Sequence, residues 1–421
     1  MHLILELSYT NSLKTKLGLI RERKNPPDKR VAFLPIQCSD LQYQYPGLQF
    51  IVEACGTRCV PDEQFAALGI PVHSSIEDCD VLFGIKEVPV EYLIPGKTYF
   101  FFSHTIKKQN HNRVLLREIL RKKITLVDYE CLQDEMGHRT VAFGRFAGIV
   151  GAYNAFRMWM LRFHYIHLKA AGECGDMAEM LDYAQHHLLG IGPVKIAVTG
   201  RGRVGNGAIE VMKKLGIREI QPQEYLDFEF SEPVFTVLSS RHYYQHPTKA
   251  SWDENHFRKA PGEYSSDFLP FAFQSDILIP CHYWDPAAPK LFELKDLLHP
   301  DWKIKVISDV TCDLDGSVPT TIRTSSIADP FFDFDPEKSI EMPPFSGNKH
   351  ITICAVDNLP CELPYDASQA FGEMLGQHVI PELASDNQMN IEKATIAKDG
   401  RLTDRFMYLS DYVADEMPVE N

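Results

Sequence analysis

Short apolar runs bounded by Gly, Pro or Asp recur through the first hundred residues, at 17–21, 49–53, 81–85 and 98–102, with helix-like stretches between them. Strands alternating with helices predict a parallel sheet covered on both faces. From 148 to 167 the period changes. Val150, Ala155, Met158 and Leu161 recur at near-helical spacing, and a second helical stretch follows at 176–189. A new strand-helix series then runs through 195–199, 234–238, 276–280 and 303–310. After an apolar run at 351–356 and the turn Asp357-Asn358-Leu359-Pro360, a helix near 367–375 and a tail remain, too short for a domain of their own. The pattern predicts an α/β protein of two Rossmann-type, doubly wound parallel-sheet domains with a cleft between them. The first is discontinuous, residues 14–147 plus 355–421, and the second is 148–354.

Composition narrows the function. The 421 residues are 44% hydrophobic and 24% charged, with 43 basic against 57 acidic side chains and a net charge of −14. Such a chain buries a core and is not mainly disordered. Its charge repels phosphate backbones and anionic leaflets, so neither nucleic acid nor membrane is expected as a partner. No apolar run approaches the roughly 18 residues that span a bilayer. Residues 1–13 lack a basic start and a small-residue cleavage site, and read as a leader extension rather than a signal peptide. The cytosol is the expected compartment. Ten Cys are scattered, and only Cys55 and Cys59 are close, with no His at finger spacing after them. They read as reduced thiols, and no metal site is expected. Nothing in the pattern sets an oligomeric state.

Between a buried strand pattern at 194–199 and a helical one at 208–215 lies Gly200-Arg201-Gly202-Arg203-Val204-Gly205-Asn206-Gly207. A G-x-G-x-x-G loop alone is a weak match, but strand before and helix after is the setting of a dinucleotide site. Gly200 permits the tight turn, Gly202 lets the backbone approach a pyrophosphate, and Gly205 or Gly207 allows close helix packing. The helix N-terminus with Arg203 and Val204 then faces the anion. The second strand of this series ends near 218–224 without a clean terminal Asp. Gln221 and Gln223 do not repel a 2′-phosphate, and Arg201, Arg203 or Arg241 can pair with one, which favours NADP(H). Glu224 keeps NAD(H) as the alternative.

At Phe101-Phe102-Ser103-His104-Thr105-Ile106-Lys107 the chain resembles the lysine-ketoglutarate reductase domain of aminoadipic semialdehyde synthase, and more distantly the lysine-forming saccharopine dehydrogenases and alanine dehydrogenases. The resemblance runs from about Leu17 to Tyr412. It includes Lys29-Arg30-Val31-Ala32, Gly84-Ile85-Lys86-Glu87, Asp128-Tyr129-Glu130, Arg139-Thr140-Val141-Ala142-Phe143-Gly144 with Phe146-Ala147-Gly148, Val237-Leu238-Ser239-Ser240-Arg241-His242, Ser308-Asp309-Val310 and Asp357-Asn358-Leu359-Pro360. It implies substrate on the first domain and nicotinamide cofactor on the second. The implied reaction joins the ε-amine of L-lysine to 2-oxoglutarate and reduces the imine to saccharopine with NAD(P)H, or runs in reverse. The chain departs from the bifunctional relatives in having no saccharopine-oxidising half, in Gly205, and in the acidic Glu87.

Imine formation needs a neutral amine, yet a lysine amine with a pKa near 10.4 is protonated at neutral pH. Loss of water from the carbinolamine then needs an acid. A Lys and a His in one dry site can serve both needs, and Lys86 and His104 match the family's acid/base pair. On the residues alone, Lys86 also reads as a solvated strand-end charge and His104 as a helix cap or core histidine. Three substrate carboxylates call for guanidinium forks. Arg30 and Arg139 match family carboxylate binders, with Arg145 a third candidate. Glu130 matches an acid that tunes the pair or meets a substrate amine. Asp357 meets a substrate amine or caps the next helix, and Asp309 lies by the nicotinamide or serves a turn. Two other readings stand: an alanine-dehydrogenase-like enzyme using free ammonia, and a dinucleotide-binding redox sensor without turnover.

Overall fold

The computed structural model describes residues 14–25, 28–188, 191–248 and 251–414, so the leader expected at 1–13 lies outside the described residues. Two compact units divide the chain: one of the described residues up to Ala142 and from Pro364 onward, the other Phe143–Leu363. Residues 143–147 and 355–363 thus fall in the second unit, against the expected limits. The cause is the helix Gly144–His164, which begins before the predicted 148 and packs on both Arg203–Lys214 and the turn Leu359–Glu362.

The first unit is built on an eight-stranded sheet. In spatial order six strands run Val72–His73, Leu48–Glu53, Thr15–Leu19, Val81–Phe83, Thr98–Phe101 and Thr125–Asp128, all parallel. The hairpin Thr395–Lys398 with Arg401–Leu402 adds an antiparallel edge that the apolar pattern did not predict. The chain therefore reverses its direction of travel across the sheet between Thr15–Leu19 and Val81–Phe83, the position where ligands gather beyond the strand ends of such sheets. Leu19 pairs with Phe83, Phe83 with Phe100, and Phe101 with Asp128. That register brings the segments after these strands to one edge. A chain of buried rings underlies the edge: Phe33 on Phe83 at 5.5 Å, Phe83 on Phe100 at 4.9 Å, and Tyr129 between Phe102 and Phe371, each at 5.1 Å. Such edge and stacked contacts fix ring positions beyond what area burial alone does.

The second unit repeats the plan. Its sheet order is Arg218–Glu219, Val234–Leu238, Lys195–Thr199, Ile277–Pro280, Val306–Ser308 and Ile351–Cys354, all parallel, followed by the antiparallel Phe331–Asp335 and Ile340–Met342. Val198, Leu278, Ile307 and Ile353 are fully buried, as central strands covered on both faces must be. Among the described residues no helix is long and apolar enough to cross a membrane. All ten cysteines are free thiols.

Candidate functional site

Lys86 follows the strand Val81–Phe83 across Gly84 and Ile85, and its side chain is half-buried. Its main chain is held from the neighbouring strand. Glu22, just past Thr15–Leu19, accepts the Ile85 N–H at 2.6 Å and the Lys86 N–H at 3.1 Å, one on each carboxylate oxygen. Burial, and secondarily the charge of Asp28, push Glu22 up to about 7, against those two amides and Arg30. A protonatable carboxyl thus stands directly behind Lys86.

His104 occupies the end of Thr98–Phe101 with a left-handed backbone, φ +52°. His is one of the residues that tolerates this region. It stands at the N-cap of the turn Thr105–Lys107, but its side chain makes no cap hydrogen bond. Instead Nδ1 lies 2.5 Å from Glu87 Oε1, while Lys24 Nζ holds the other oxygen at 2.8 Å. Burial works against ionisation of Glu87, yet the hydrogen bonds from His104 and Lys24 outweigh it and hold the carboxyl at about 2. An ionised carboxylate only accepts, so Nδ1 carries the proton and Nε2 is left as the proton-exchanging atom.

Asp128, buried at the end of the next strand, fixes the surroundings. One oxygen accepts the Ser103 N–H at 3.1 Å and the Ser103 hydroxyl, and the other takes the Glu130 N–H at 2.7 Å. Glu130 then directs Oε1 to Arg139 at 3.2 Å and to Lys107 at 3.4 Å. Its Oε2 is buried and has no hydrogen-bond partner among the described residues. A carboxylate with one oxygen spent on cations and one buried without a partner is chemically suited to an incoming ammonium. Arg139, paired with Glu130, keeps 42% of its side chain exposed.

Arg30 is placed differently from the expectation of an open fork. It is buried and paired in two-point fashion with Asp28, Nε to Oδ1 at 3.0 Å and Nη2 to Oδ2 at 2.6 Å. Arg145 is likewise held by both oxygens of Glu210 at 2.8 Å and lies in the second unit. Sequence reading passed over Glu22 and Asp28. Their signal, acids two to eight residues from a predicted Arg, was visible but unspecific.

In the second unit the glycine loop has the form its spacing predicts. Gly200 has φ +85°, and a Cβ there would stand 2.7 Å from His282 Cα. Gly207 meets the helix Gly144–His164 so closely that a Cβ would be 2.0 Å from the Arg145 carbonyl oxygen. Gly205 packs against Gly200 in the same way, whereas Gly202 has nothing within 4 Å of where a Cβ would be. Arg203 and Val204 open the helix Arg203–Lys214 behind it. A closed turn, an open second glycine and a bare helix N-terminus fit a pyrophosphate. A pocket past the second strand is lined by Gln221, Gln223, His242 and Asp267 among others.

The ribose end departs from expectation. The second strand stops at Glu219, whose carboxylate pairs with Arg201 and with Lys213 at 3.5 Å. Arg201 is thus already neutralised. Glu224 lies inside the helix Pro222–Asp227, past the strand end, and Arg241 is exposed on the turn Ser240–Tyr243. Asp309 is fully engaged: Oδ1 accepts from Thr311 N–H and hydroxyl at 3.1 and 2.6 Å, and Oδ2 from the Thr321 hydroxyl at 2.6 Å. Between its two readings, the geometry favours the turn. Asp357 is exposed, and the turn after it is headed by Asn358 with no side-chain cap bond, so Asp357 does not cap it.

Comparison with known proteins bears on these arrangements. Residues 18–150 match the family alanine dehydrogenase/PNT, N-terminal domain. Alpha-aminoadipic semialdehyde synthase, mitochondrial, of Mus musculus is 30% identical over 94% of this chain and 48% of its own length. The saccharopine dehydrogenase [NAD(+), L-lysine-forming] of Emericella nidulans is 25% identical over 85% of this chain and 89% of its own. By these matches the chain is similar to the alanine dehydrogenases and saccharopine dehydrogenases. It spans about half the length of the aminoadipic semialdehyde synthases it matches. The fold is shared with a solved L-alanine dehydrogenase, TM-score 0.61 at 18% identity, covering 94% of this chain and 99% of that one.

Proposed function

We propose that the chain is a lysine-ketoglutarate reductase. It condenses L-lysine with 2-oxoglutarate and reduces the imine to saccharopine, or catalyses the reverse, with NADP(H) as the favoured cofactor. The observation that carries this reading is the single sheet edge on which Lys86, the His104–Glu87 pair and the half-satisfied Glu130 lie together. The names of the fungal relatives, which specify saccharopine and L-lysine, favour it over the ammonia-using alternative. The presence of both proton-handling groups favours it over a sensor without turnover.

In this reading the first unit holds the substrates and the second the cofactor. Glu130 Oε2 receives a substrate ammonium group, and Arg139 receives a carboxylate. Arg30, committed to Asp28, acts through the charge it contributes to the pocket. One of Lys86 and His104 takes the proton that the ε-ammonium must lose before its nitrogen attacks the keto carbon. The other returns a proton to the carbinolamine hydroxyl, which leaves as water. When bound, the reduced nicotinamide supplies the hydride that converts the imine carbon to the secondary amine. Glu87 keeps the His104 proton on Nδ1 throughout, and Glu22 keeps the Lys86 backbone in register. We place the reaction in the cytosol, where the free thiols stay reduced.

For the cofactor, the exposed Arg241 can meet a 2′-phosphate, and Gln221 and Gln223 do not repel it. One charge-assisted contact of about 1.5 to 3 kcal/mol is enough to set a preference of one to two powers of ten. Glu219 carries the NAD(H) alternative, because it is the acid at the strand end. Steady-state kinetics with both cofactors are expected to favour NADPH and to change little in Glu219→Gln. A preference for NADH that Glu219→Gln abolishes overturns the assignment.

A further inference from the structure

After the strand Val234–Leu238, the chain leaves the second sheet for a small excursion that begins and ends on the antiparallel pair Tyr244–Gln245 with Ser265–Ser266. The excursion carries the helix Glu254–Lys259 and an aromatic cluster of Tyr244, Trp252, Phe257 and Tyr264. Against this cluster His246, His256 and Glu263 converge, with one ligand atom of each within 4.8 Å of the others. The Nε2 atoms of the two histidines lie 3.5 and 3.4 Å from the same Glu263 oxygen. That is long for a charge-assisted hydrogen bond, which closes to about 2.7–2.9 Å. It matches the separation of about 3.3 Å between two donors on one tetrahedral zinc with bonds of ~2.0–2.1 Å.

At His256 the surrounding hydrogen bonds select the tautomer that a metal needs. His256 Nδ1 lies 3.2 Å from the Tyr264 hydroxyl, which lies 3.4 Å from the Asp253 carbonyl. The hydroxyl donates to that carbonyl and accepts from Nδ1–H, so the lone pair is on Nε2, facing Glu263. A ligand histidine braced through its second nitrogen is the usual arrangement in metal sites. At His246, Nδ1 accepts the Thr248 N–H at 3.2 Å, so without metal the proton lies on Nε2, and it must pass to Nδ1, with the Thr248 hydroxyl at 3.3 Å as its acceptor, before Nε2 can ligate. Side-chain exposure rises from 11% at His246 through 27% at His256 to 59% at Glu263. The two imidazoles form the fixed base, and the carboxylate is free to close on an ion whose remaining position faces water.

We propose that His246, His256 and Glu263 bind a divalent zinc ion that staples the two ends of this excursion. Two imidazoles and one carboxylate are a borderline-soft set that suits zinc and disfavours magnesium or calcium. Sequence reading expected no metal, because the three ligands follow no finger spacing.

The test is calorimetric titration of Zn2+ into the chelator-treated full chain, with Co2+ as an optical probe. One equivalent is expected to bind, and the cobalt protein should show visible ligand-field bands without the near-ultraviolet band of thiolate ligation. His256→Asn and Glu263→Gln should each weaken binding by about 100-fold or more, and Tyr264→Phe by about 10-fold. Glu263 is exposed, so Glu263→Gln keeps the fold, which circular dichroism verifies. Absence of saturable binding, unchanged affinity in Glu263→Gln, or a thiolate band placing the metal on cysteines instead overturns the site. None of these readouts depends on turnover.

Discussion

Lys86→Met and His104→Gln are each expected to slow lysine- and 2-oxoglutarate-dependent turnover by about 10² to 10⁴, the usual contribution of a general acid or base. Dinucleotide affinity should be unchanged, because the glycine loop belongs to the other compact unit. Lys86→Met leaves the His104–Glu87 pair in place, with Glu87 ionised above about 2. His104→Gln keeps the hydrogen bond to Glu87 but loses the exchangeable proton. Turnover unchanged in both variants would contradict the acid/base assignment, and joint loss of dinucleotide binding would point to a folding defect instead.

The second large effect is expected at Gly207. Its Cβ position is 2.0 Å from the Arg145 carbonyl oxygen and 3.1 Å from the Ile149 nitrogen, and both are backbone atoms of a long helix. On the opposing helix, Gly148 would place a Cβ 1.8 Å from the Val204 carbonyl oxygen. Two helices this close cannot admit a side chain without separating. Gly207→Val should destabilise the second unit by about 3 kcal/mol or more, at or beyond the upper end of ordinary overpacking. It should abolish dinucleotide binding through loss of the fold. Gly202→Ala is the contrasting case. With open space at its Cβ the variant should melt like the wild type, yet bind dinucleotide at least about ten-fold more weakly, since the methyl occupies the approach to the pyrophosphate. Thermal unfolding and fluorescence titration of both variants separate the two outcomes. A Gly207→Val protein as stable as the wild type would contradict the packing account.

These sites illustrate what the chain reveals locally and what it does not. Most of the parallel strands and the glycine loop were legible because their information lies within a few residues: apolar runs, glycines at fixed offsets, a strand and a helix on either side; Val72–His73 and Thr125–Asp128 were passed over. The antiparallel strand Phe331–Asp335 was not, because it carries the buried polar groups Asp333 and Asp335 and is defined by pairing with Ile351–Cys354 and Ile340–Met342. Lys86 and His104 were found through family resemblance rather than through pattern. The occupancy of charged groups was the least legible property. Arg30 on Asp28, Arg145 on Glu210, Arg201 on Glu219 and Asp309 among Thr311 and Thr321 are set by which neighbours the fold delivers. A guanidinium in sequence is an available fork only if no carboxylate reaches it first.

The central claim is the identity of the two substrates, and product analysis of one reaction tests it most directly. The chain is incubated with NADPH, L-lysine and 2-oxoglutarate, in parallel with NADPH, pyruvate and ammonia, and cofactor oxidation is followed together with mass analysis of the amino-acid product. The account predicts rapid oxidation only in the first mixture, with saccharopine formed mole for mole. Oxidation in the second mixture with alanine as product, or none in either mixture with NADPH or NADH, would contradict it.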